Sequence, residues 1–240
     1  MPSPVYLVGD LRLIVVSDGT IWMDAGAVFG LVPKIMWQRV TAEINSKNQI
    51  PLALNCLLLQ SAGKTILIET GQGNKDFDLV RRRGGEIHHG LLINELALNG
   101  VTPEDIDIVI NTHLHSDHTG WNTRLVNDTL VPTFPNARYY IQRGEWQEAL
   151  NPNERTKATY LAENLNPVHT AGQIELIDGE TKITPDITVI ETPGHTADHA
   201  SVVINNGDET AVYLGDVIQH QAQLEHIAWG SAFDILPLVA

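Results

Sequence analysis

Three histidines and one aspartate fall within six consecutive positions near the middle of the chain. They are His113, His115, Asp117 and His118. This spacing differs from H-E-x-x-H, the pattern that places two metal ligands one helical turn apart. In an extended segment the first two histidines project to the same side of the backbone. A turn after them would bring the aspartate and the third histidine towards a second point, so we interpret the segment as ligands for two metal ions.

At two later positions a side chain that can bind a metal ion also follows an apolar strand, here with a glycine directly before it. His195 follows the apolar run 187–191, and Asp216 follows the run 210–214. The glycines Gly194 and Gly215 permit tight turns and a close approach of the backbone. We expect these strand ends to converge on one cleft with the first segment. Nitrogen and carboxylate ligands without a thiolate suit Zn²⁺, and also Mn²⁺, Fe²⁺ or Co²⁺.

Strand-like runs dominate both halves of the chain, and few helices lie between them. The runs are rich in Val, Ile and Leu and are bounded by Gly, Pro, Asn or Asp. We predict strands at 5–8, 11–16, 53–60, 65–69, 106–111, 137–141, 174–176, 187–191, 200–204 and 210–214. Helices are predicted at 91–98, 143–150 and 155–164. This pattern favours two sheets packed face to face with helices outside over a doubly wound parallel sheet.

The composition limits the function classes. The 240 residues are 43% hydrophobic and carry 29 acidic against 15 basic side chains, a formal charge of −14. An acidic surface disfavours nucleic acid and anionic membranes, so we expect a small-molecule substrate, with a homodimer as a further option. The single cysteine, Cys56, excludes an intrachain disulfide framework and a Cys-rich zinc site. No segment reads as a signal peptide or membrane span, which predicts a cytoplasmic protein.

These residues resemble the signature of the metallo-β-lactamase superfamily, H-x-H-x-D-H followed by a later His and a later Asp. Ser17-Asp18-Gly19-Thr20 and the segment 24–34 are similar to the branch that contains N-acyl-homoserine lactonases and methyl parathion hydrolases. The turn 68–71 matches the usual D-T-G turn, with Glu69 in place of Asp. The resemblance implies an α+β fold: one αββα sandwich domain over residues 1–240, with two mixed sheets, helices on the outer faces and a binuclear site at one edge.

Carried over by position, the resemblance also implies a ligand set. The residues concerned are His113, His115 and His195 for the first metal ion, Asp117 and His118 for the second, and Asp216 as the bridge between them. Two divalent ions are implied, with Zn²⁺ as the first expectation. Asp117 would in addition act as a catalytic residue that relays a proton to the leaving group.

The chain departs from the family pattern after the bridging aspartate. Family members carry a last second-site histidine on a further segment, whereas this chain ends at residue 240 without one. We therefore expect a C-terminally short member, in which a water molecule, His220 or His226 takes the place of the missing ligand. The tyrosine that lactonases carry three positions after the bridging aspartate is Gln219 here.

The resemblance implies a metal-dependent hydrolase that uses a metal-bound hydroxide on a small ester or lactone. Four alternatives stay open: a phosphotriester hydrolase, a thioesterase similar to glyoxalase II, a mononuclear iron enzyme similar to persulfide dioxygenases, and an inactive, truncated metal-binding fold. Among the remaining residues, His199 is expected to orient a ligand and Cys56 to lie in the core. The basic run Arg81-Arg82-Arg83 is expected to form a solvated surface.

Overall fold

The computed structural model of the protein describes residues 3–78 and 87–240. It confirms the predicted α+β class. Two sheets lie face to face, and helices pack against the outer surface of the larger sheet. The basic run 81–83 lies outside the described residues, so its interpretation as a solvated surface stays a prediction.

The larger sheet combines antiparallel and parallel pairing. In the described part of the chain its strands are Val5–Val8 (β1), Leu11–Asp24 (β2), Gln49–Ser61 (β3), Lys64–Ile68 (β4), Ile108–Ile110 (β5), Arg138–Gln142 (β8) and Ile174–Ile177 (β9). They lie in the order β1-β2-β3-β4-β5-β8-β9. The first four pair antiparallel, whereas β4, β5, β8 and β9 pair parallel. The carboxyl ends of β4 and β5 therefore meet at one edge, where the histidine-rich segment begins.

The smaller sheet is antiparallel throughout, so the mixed pairing predicted for both sheets is confined to the larger one. Its strands are Thr181–Lys182 (β10), Ile187–Glu191 (β11), Ala200–Asn206 (β12) and Glu209–Tyr213 (β13). A separate hairpin, not predicted, joins Thr123–Val126 (β6) to Thr129–Pro132 (β7). Its turn residues Asn127 and Asp128 both have positive φ, of 48° and 61°. This conformation is the one that two-residue hairpin loops prefer.

The helices are short and sit mainly on one side of the larger sheet. Those described are Ala25–Val28 (α1), Lys34–Trp37 (α2), Leu92–Leu98 (α3), Ser116–Thr119 (α4), Arg143–Leu150 (α5), Ala162–Thr170 (α6) and Ala222–Glu225 (α7). The predicted helix 155–164 is wrong in position, because Asn153 folds the chain after it into a turn by accepting the N–H of Arg155. The helix α6 instead continues past Pro167, since Leu165 and Val168 are buried in the core.

The strand β2 is longer than predicted because it continues through an irregularity between Ser17 and Thr20. The Ser17 hydroxyl accepts the Gly19 N–H across this bulge. β3 lengthens with β2, so that Ile21 and Leu52 pair beyond the rest of the sheet. This extension matters for function because both side chains line the cavities described below.

Two apolar layers hold the architecture together. The layer between the sheets joins residues such as Ile66 and Ile110 to Val189 and Val202 of the smaller sheet. The other layer joins the opposite face of the larger sheet to α3, α5 and α6, and it contains Cys56, which is buried as predicted. Burial of apolar surface on both faces fixes the central strands and the loops at their ends.

Candidate metal centre

The segment with three of the histidines runs from the end of β5 into the short helix α4, which contains His118. The chain stays extended up to His115, whose φ and ψ are −63° and 155°, and then turns into the helix. His113 and His115 lie on one side, with ring centroids 4.6 Å apart. The turn of α4 brings the His118 ring to 4.1 Å from that of His113. The structure thus brings these three side chains together in the way that their spacing predicts.

Three imidazoles form what we call the trihistidine cluster: His113, His115 and His195. One nitrogen of each lies within 4.8 Å of the others, and all three side chains are buried. His115 Nδ1 lies 3.0 Å from His195 Nε2. Among the described residues, His113 Nε2 has no hydrogen-bond partner although the ring is fully buried. Buried polar atoms are normally paired, so this convergent, incompletely paired set of nitrogens fits a metal ion such as Zn²⁺.

A second group, which we call the carboxylate cluster, consists of His113, His118 and Asp216, again with donor atoms within 4.8 Å. His118 Nε2 lies 3.3 Å from Asp216 Oδ1 and 3.6 Å from Asp117 Oδ2. The other oxygen of Asp216, Oδ2, lies 3.6 Å from His195 Nε2. Asp216 therefore belongs to the carboxylate cluster and also approaches the trihistidine cluster, as a ligand shared by two ions would.

A glycine allows Asp216 to reach this place. Gly215 has a φ of 60°, and a Cβ atom there would lie 2.6 Å from His199 Nε2. His199 in turn accepts the backbone N–H of Asp216 and pairs through Nδ1 with the Thr192 hydroxyl. His199 therefore orients Asp216 and belongs to neither cluster, as the sequence predicts.

The buried carboxylate of Glu69 supports the carboxylate cluster from behind. Its Oε2 lies 2.9 Å from His118 Nδ1, and its Oε1 accepts the Thr112 N–H. A carboxylate on the far nitrogen of an imidazole fixes the ring and its tautomer, which directs His118 Nε2 towards Asp216. Glu69, which stands in place of Asp in this turn, therefore contacts His118 directly.

The two clusters differ in their electrostatics. Burial lowers the pKa of His113 well below its ordinary value, and it lowers the pKa of His115 to about 3. Burial also opposes a charge on His118, but Asp216, Asp117 and Glu69 outweigh it and raise the pKa well above the ordinary value. For Asp216, burial raises the pKa, but the neighbouring imidazoles, His118 foremost, lower it by more. The pKa of Asp216 therefore lies below its ordinary value. His113 and His115 therefore offer neutral nitrogens. Burial opposes a charge on His195 too, but the hydrogen bond to Asp234 and the charge of Asp216 outweigh it and raise the pKa. The carboxylate cluster offers negative charge.

His195 is held by a segment that sequence reasoning missed, residues 231–236, which we call the C-terminal strap. Asp234 Oδ1 lies 3.2 Å from His195 Nδ1. The amides of Ile235 and Leu236 donate to the carbonyls of His195 and Gly194. No spacing or motif singles out Asp234, because its partner lies 39 positions away in the chain.

The residues considered as replacements for the absent histidine lie elsewhere. Neither His220 nor His226 belongs to either cluster of the described residues, so the structure supports neither as the replacement, and a water molecule stays the remaining expectation. The His220 ring lies edge-on to Phe29, and its Nδ1 accepts the Ala222 N–H. The His226 ring is stacked on Trp229. Gln219 does reach the clusters, with Nε2 at 3.2 Å from His195 Nδ1.

Two cavities open above the clusters. One, of about 310 Å³, is bordered by His118, Asp117 and Asp216. The other, of about 320 Å³, is bordered by His115, His195 and the strap. They share Asp117, Asp216, Gln219, Ile21 and Leu52 as a common wall. The clusters therefore lie at the floor of one two-lobed cleft, where a substrate can reach them.

Comparisons with known proteins agree with this geometry. Residues 50–234 match the family model of the metallo-beta-lactamase superfamily. An N-acyl homoserine lactonase from a Bacillus species is 26% identical over 185 residues, 73% of this chain and 67% of that one. The structure of a probable metal-dependent hydrolase from Staphylococcus aureus has a TM-score of 0.87 at 31% identity, covering 97% of this chain and 82% of that one. A dizinc quorum-quenching lactonase shares the fold, with a TM-score of 0.77 at 22% identity over 97% of this chain and 81% of that one.

This chain belongs to the metallo-β-lactamase superfamily. Its family, relatives and histidine-rich site support a metal-dependent hydrolase that uses divalent metal ions. In the described part of the chain, no helix is both long and apolar enough to cross a membrane.

Proposed function

We propose that the protein hydrolyses a small ester or lactone with two divalent metal ions. One observation carries the proposal: at the floor of an open cleft the two clusters share His113, and Asp216 faces His118 with one oxygen and His195 with the other. Adjacent metal sites of this kind are typical of hydrolases in which two ions act on one substrate. The relative described as an N-acyl homoserine lactonase supports a lactone or a related ester as the substrate class.

The donor atoms fit the metal ions that the proposal requires. His113, His115 and His195 would hold one ion, Asp117 and His118 the other, and Asp216 would contact both. Nitrogen and carboxylate donors favour Zn²⁺, and Mn²⁺, Fe²⁺ and Co²⁺ share these ligand preferences. Bound ions would lower the pKa of a coordinated water to about 7 and polarise the substrate carbonyl.

The shape of the cleft supports an ester with two unequal substituents. A carbonyl held over Asp216 would direct one substituent into each lobe. In the lobe beside His195, Met23, Phe233 and Ile235 form an apolar wall. This wall favours an uncharged hydrocarbon group, and the volume of about 320 Å³ limits that group to a small acyl or alkyl chain.

Asp117 is placed to move a proton as well as to bind metal. Its side chain is 28% exposed and borders both lobes, so a leaving group in either lobe can reach it. Asp117→Asn keeps an oxygen ligand but cannot carry a proton. We expect turnover to fall on the order of 100-fold, the usual contribution of general acid catalysis, while metal content falls much less. Equal losses of turnover and metal would contradict the proton relay.

Metal stoichiometry and a substrate panel test the proposed function together. Purified protein is passed through gel filtration and its metals are counted by elemental analysis. The same sample is assayed on a lactone, an ester, a thioester and a phosphotriester, and for oxygen consumption with a persulfide. Two metal ions per chain and preference for the lactone or ester are expected. Preference for the thioester, the phosphotriester or the persulfide would change the proposed substrate class. Protein that binds no metal and turns over none of these compounds would contradict the proposal that it is an enzyme.

A further inference from the structure

We propose that Glu145 is a positioning residue that sets the separation of His115 and His195, and thereby builds the trihistidine cluster. The inference rests on the proposed function only in that it takes this cluster to bind a metal ion. Glu145 lies in the first turn of α5, and its side chain faces neither lobe of the cleft. It is 1% exposed, so it acts through the residues that it contacts.

Each oxygen of this carboxylate holds a different ligand-bearing segment. Oε1 accepts the backbone N–H of Leu114, the residue between the two histidines of the H-x-H motif, at 2.9 Å. Oε2 accepts the hydroxyl of Thr196, the residue after His195, at 2.6 Å. The two segments are about 80 residues apart in sequence, as His115 and His195 show. One rigid carboxylate group therefore links the backbones that carry two of the three histidines.

Two further contacts extend the link to the rings. The Tyr160 hydroxyl also donates to Glu145 Oε1, at 2.9 Å, and the Tyr160 ring lies 5.1 Å from that of His115. The Thr196 carbonyl accepts the N–H of Gly194, which closes the turn around His195. Leu114, Thr196 and Tyr160 are all buried, so these hydrogen bonds are shielded from water. Buried, fully paired polar networks of this kind rigidify their surroundings.

The function of such a network is to hold a metal site in its geometry before the ion arrives. Groups that orient metal ligands typically change metal affinity by about 10- to 100-fold when they are removed. Glu145 carries three hydrogen bonds on two oxygens, and each connects to the trihistidine cluster through one residue. None of these three hydrogen bonds involves His118 or Asp216, so the predicted effect falls on the trihistidine cluster.

Metal affinity and the visible spectrum of the Co²⁺-substituted protein test the inference without any substrate. We expect the trihistidine cluster to be the tighter of the two Co²⁺ sites. Glu145→Ala is expected to weaken this tighter site about 10- to 100-fold in chelator competition and to alter its absorption bands. Glu145→Gln retains an oxygen for Leu114 and Tyr160 and an amide N–H for Thr196, so it should keep near wild-type affinity and spectrum. Glu148→Gln is the matched control, since Glu148 lies on the same helix but accepts from Asn153 and Thr156. It should change neither readout.

Thr196→Val covers the case in which Glu145→Ala does not fold, because it removes only the bond to Oε2 and keeps the shape of the side chain. It should weaken the tighter site several-fold and shift the spectrum in the same direction. Unchanged affinity and spectrum in folded Glu145→Ala or in Thr196→Val would overturn the inference, as would equal damage in Glu145→Gln and Glu145→Ala. Wild-type protein that binds no Co²⁺ would overturn the proposed function as well, which distinguishes the two failures.

Discussion

The trihistidine cluster and the carboxylate cluster are built from one shared histidine but are supported in opposite ways. The first is buried, consists of imidazoles and is linked through Glu145 to the helix layer. The second faces the cleft, and three carboxylates, those of Asp216, Asp117 and Glu69, surround His118. A closed set of imidazole nitrogens selects and retains an ion by geometry, whereas an open, negatively charged set attracts cations and leaves room for substrate. The comparison predicts one tight and one weaker metal site.

The largest expected effect is on the trihistidine cluster. His115→Ala removes a ring whose Nε2 has no hydrogen-bond partner among the described residues and whose Nδ1 faces His195 Nε2, which keeps Asp216 Oδ2 at 3.6 Å. We expect the tighter metal site to disappear and turnover to fall on the order of 1,000-fold, since a bound ion supplies several kcal/mol of stabilisation. Elemental analysis and initial rates measure the two losses. Retention of tight binding by this variant would contradict the division into two clusters.

The metal-free protein should lose stability as the pH falls below about 6.5. Burial lowers the pKa of His113 well below its ordinary value and that of His115 and His199 to about 3. Protons then bind these rings in the unfolded chain only, which favours unfolding by about 1 kcal/mol per pH unit for each group. The pKa values of His118 and His195 are raised in the folded protein. Both rings are therefore protonated in the folded and the unfolded chain below this pH, and their contribution to the free energy of unfolding is constant there.

Denaturant unfolding with a chelator at pH 7 and pH 5.5 measures this slope. In His115→Ala the slope should be smaller, because one of the rings with a lowered pKa is gone. A stability that is constant or rises as the pH falls would contradict neutral imidazoles at His113, His115 and His199.

A smaller effect is expected at the carboxylate cluster. Asp216→Asn keeps the shape of the side chain but removes the charge beside His118 Nε2. The weaker metal site should lose affinity about 10- to 100-fold and turnover should fall roughly 100-fold, while the tighter site retains its ion. Titration with Zn²⁺ in a calorimeter separates the two sites. Loss of both sites to the same extent would mean that the clusters act as one.

The smallest effect is expected outside both clusters. Because His220 packs on Phe29 and His226 on Trp229, a His220→Ala, His226→Ala double variant should bind the same number of metal ions as the wild type. Turnover should change by less than about twofold, as for substitutions away from a site, although stability falls slightly with the lost ring contacts. Elemental analysis and a melting curve suffice. Loss of one metal ion in the double variant would mean that His220 or His226 is a metal ligand.

Local sequence patterns predicted much of this architecture. The histidine-rich segment could be predicted because its ligands lie within one extended stretch and one turn, both fixed by local backbone geometry. The strand β11 and the helix α5 were predicted with their observed bounds, since apolar periodicity defines both. Short-range signals suffice wherever a function is encoded within a few residues.

Long-range pairing accounts for what the sequence did not reveal. Glu145 and Asp234 look like ordinary acidic residues, and only the fold brings them to Thr196 and His195. The helix α6 runs through Pro167, against its local preference, because burial of its neighbours outweighs the lost hydrogen bond. Sequence spacing therefore predicted the candidate metal ligands and the orienting role of His199, but missed Glu145 and Asp234.

The C-terminal strap couples the first cluster to the local unfolding of the chain. Ile235 and Leu236 bond to the turn that carries His195, and Arg155 secures the strap through the carbonyls of Ala232 and Asp234. Detachment of this short segment would free His195 while the central sheet stays intact, since protein segments open independently at different free energies. A metal ion held at His195 would resist that opening. Amide hydrogen exchange in the strap, slow in the loaded protein and fast after chelation, would therefore report the lifetime of the ion.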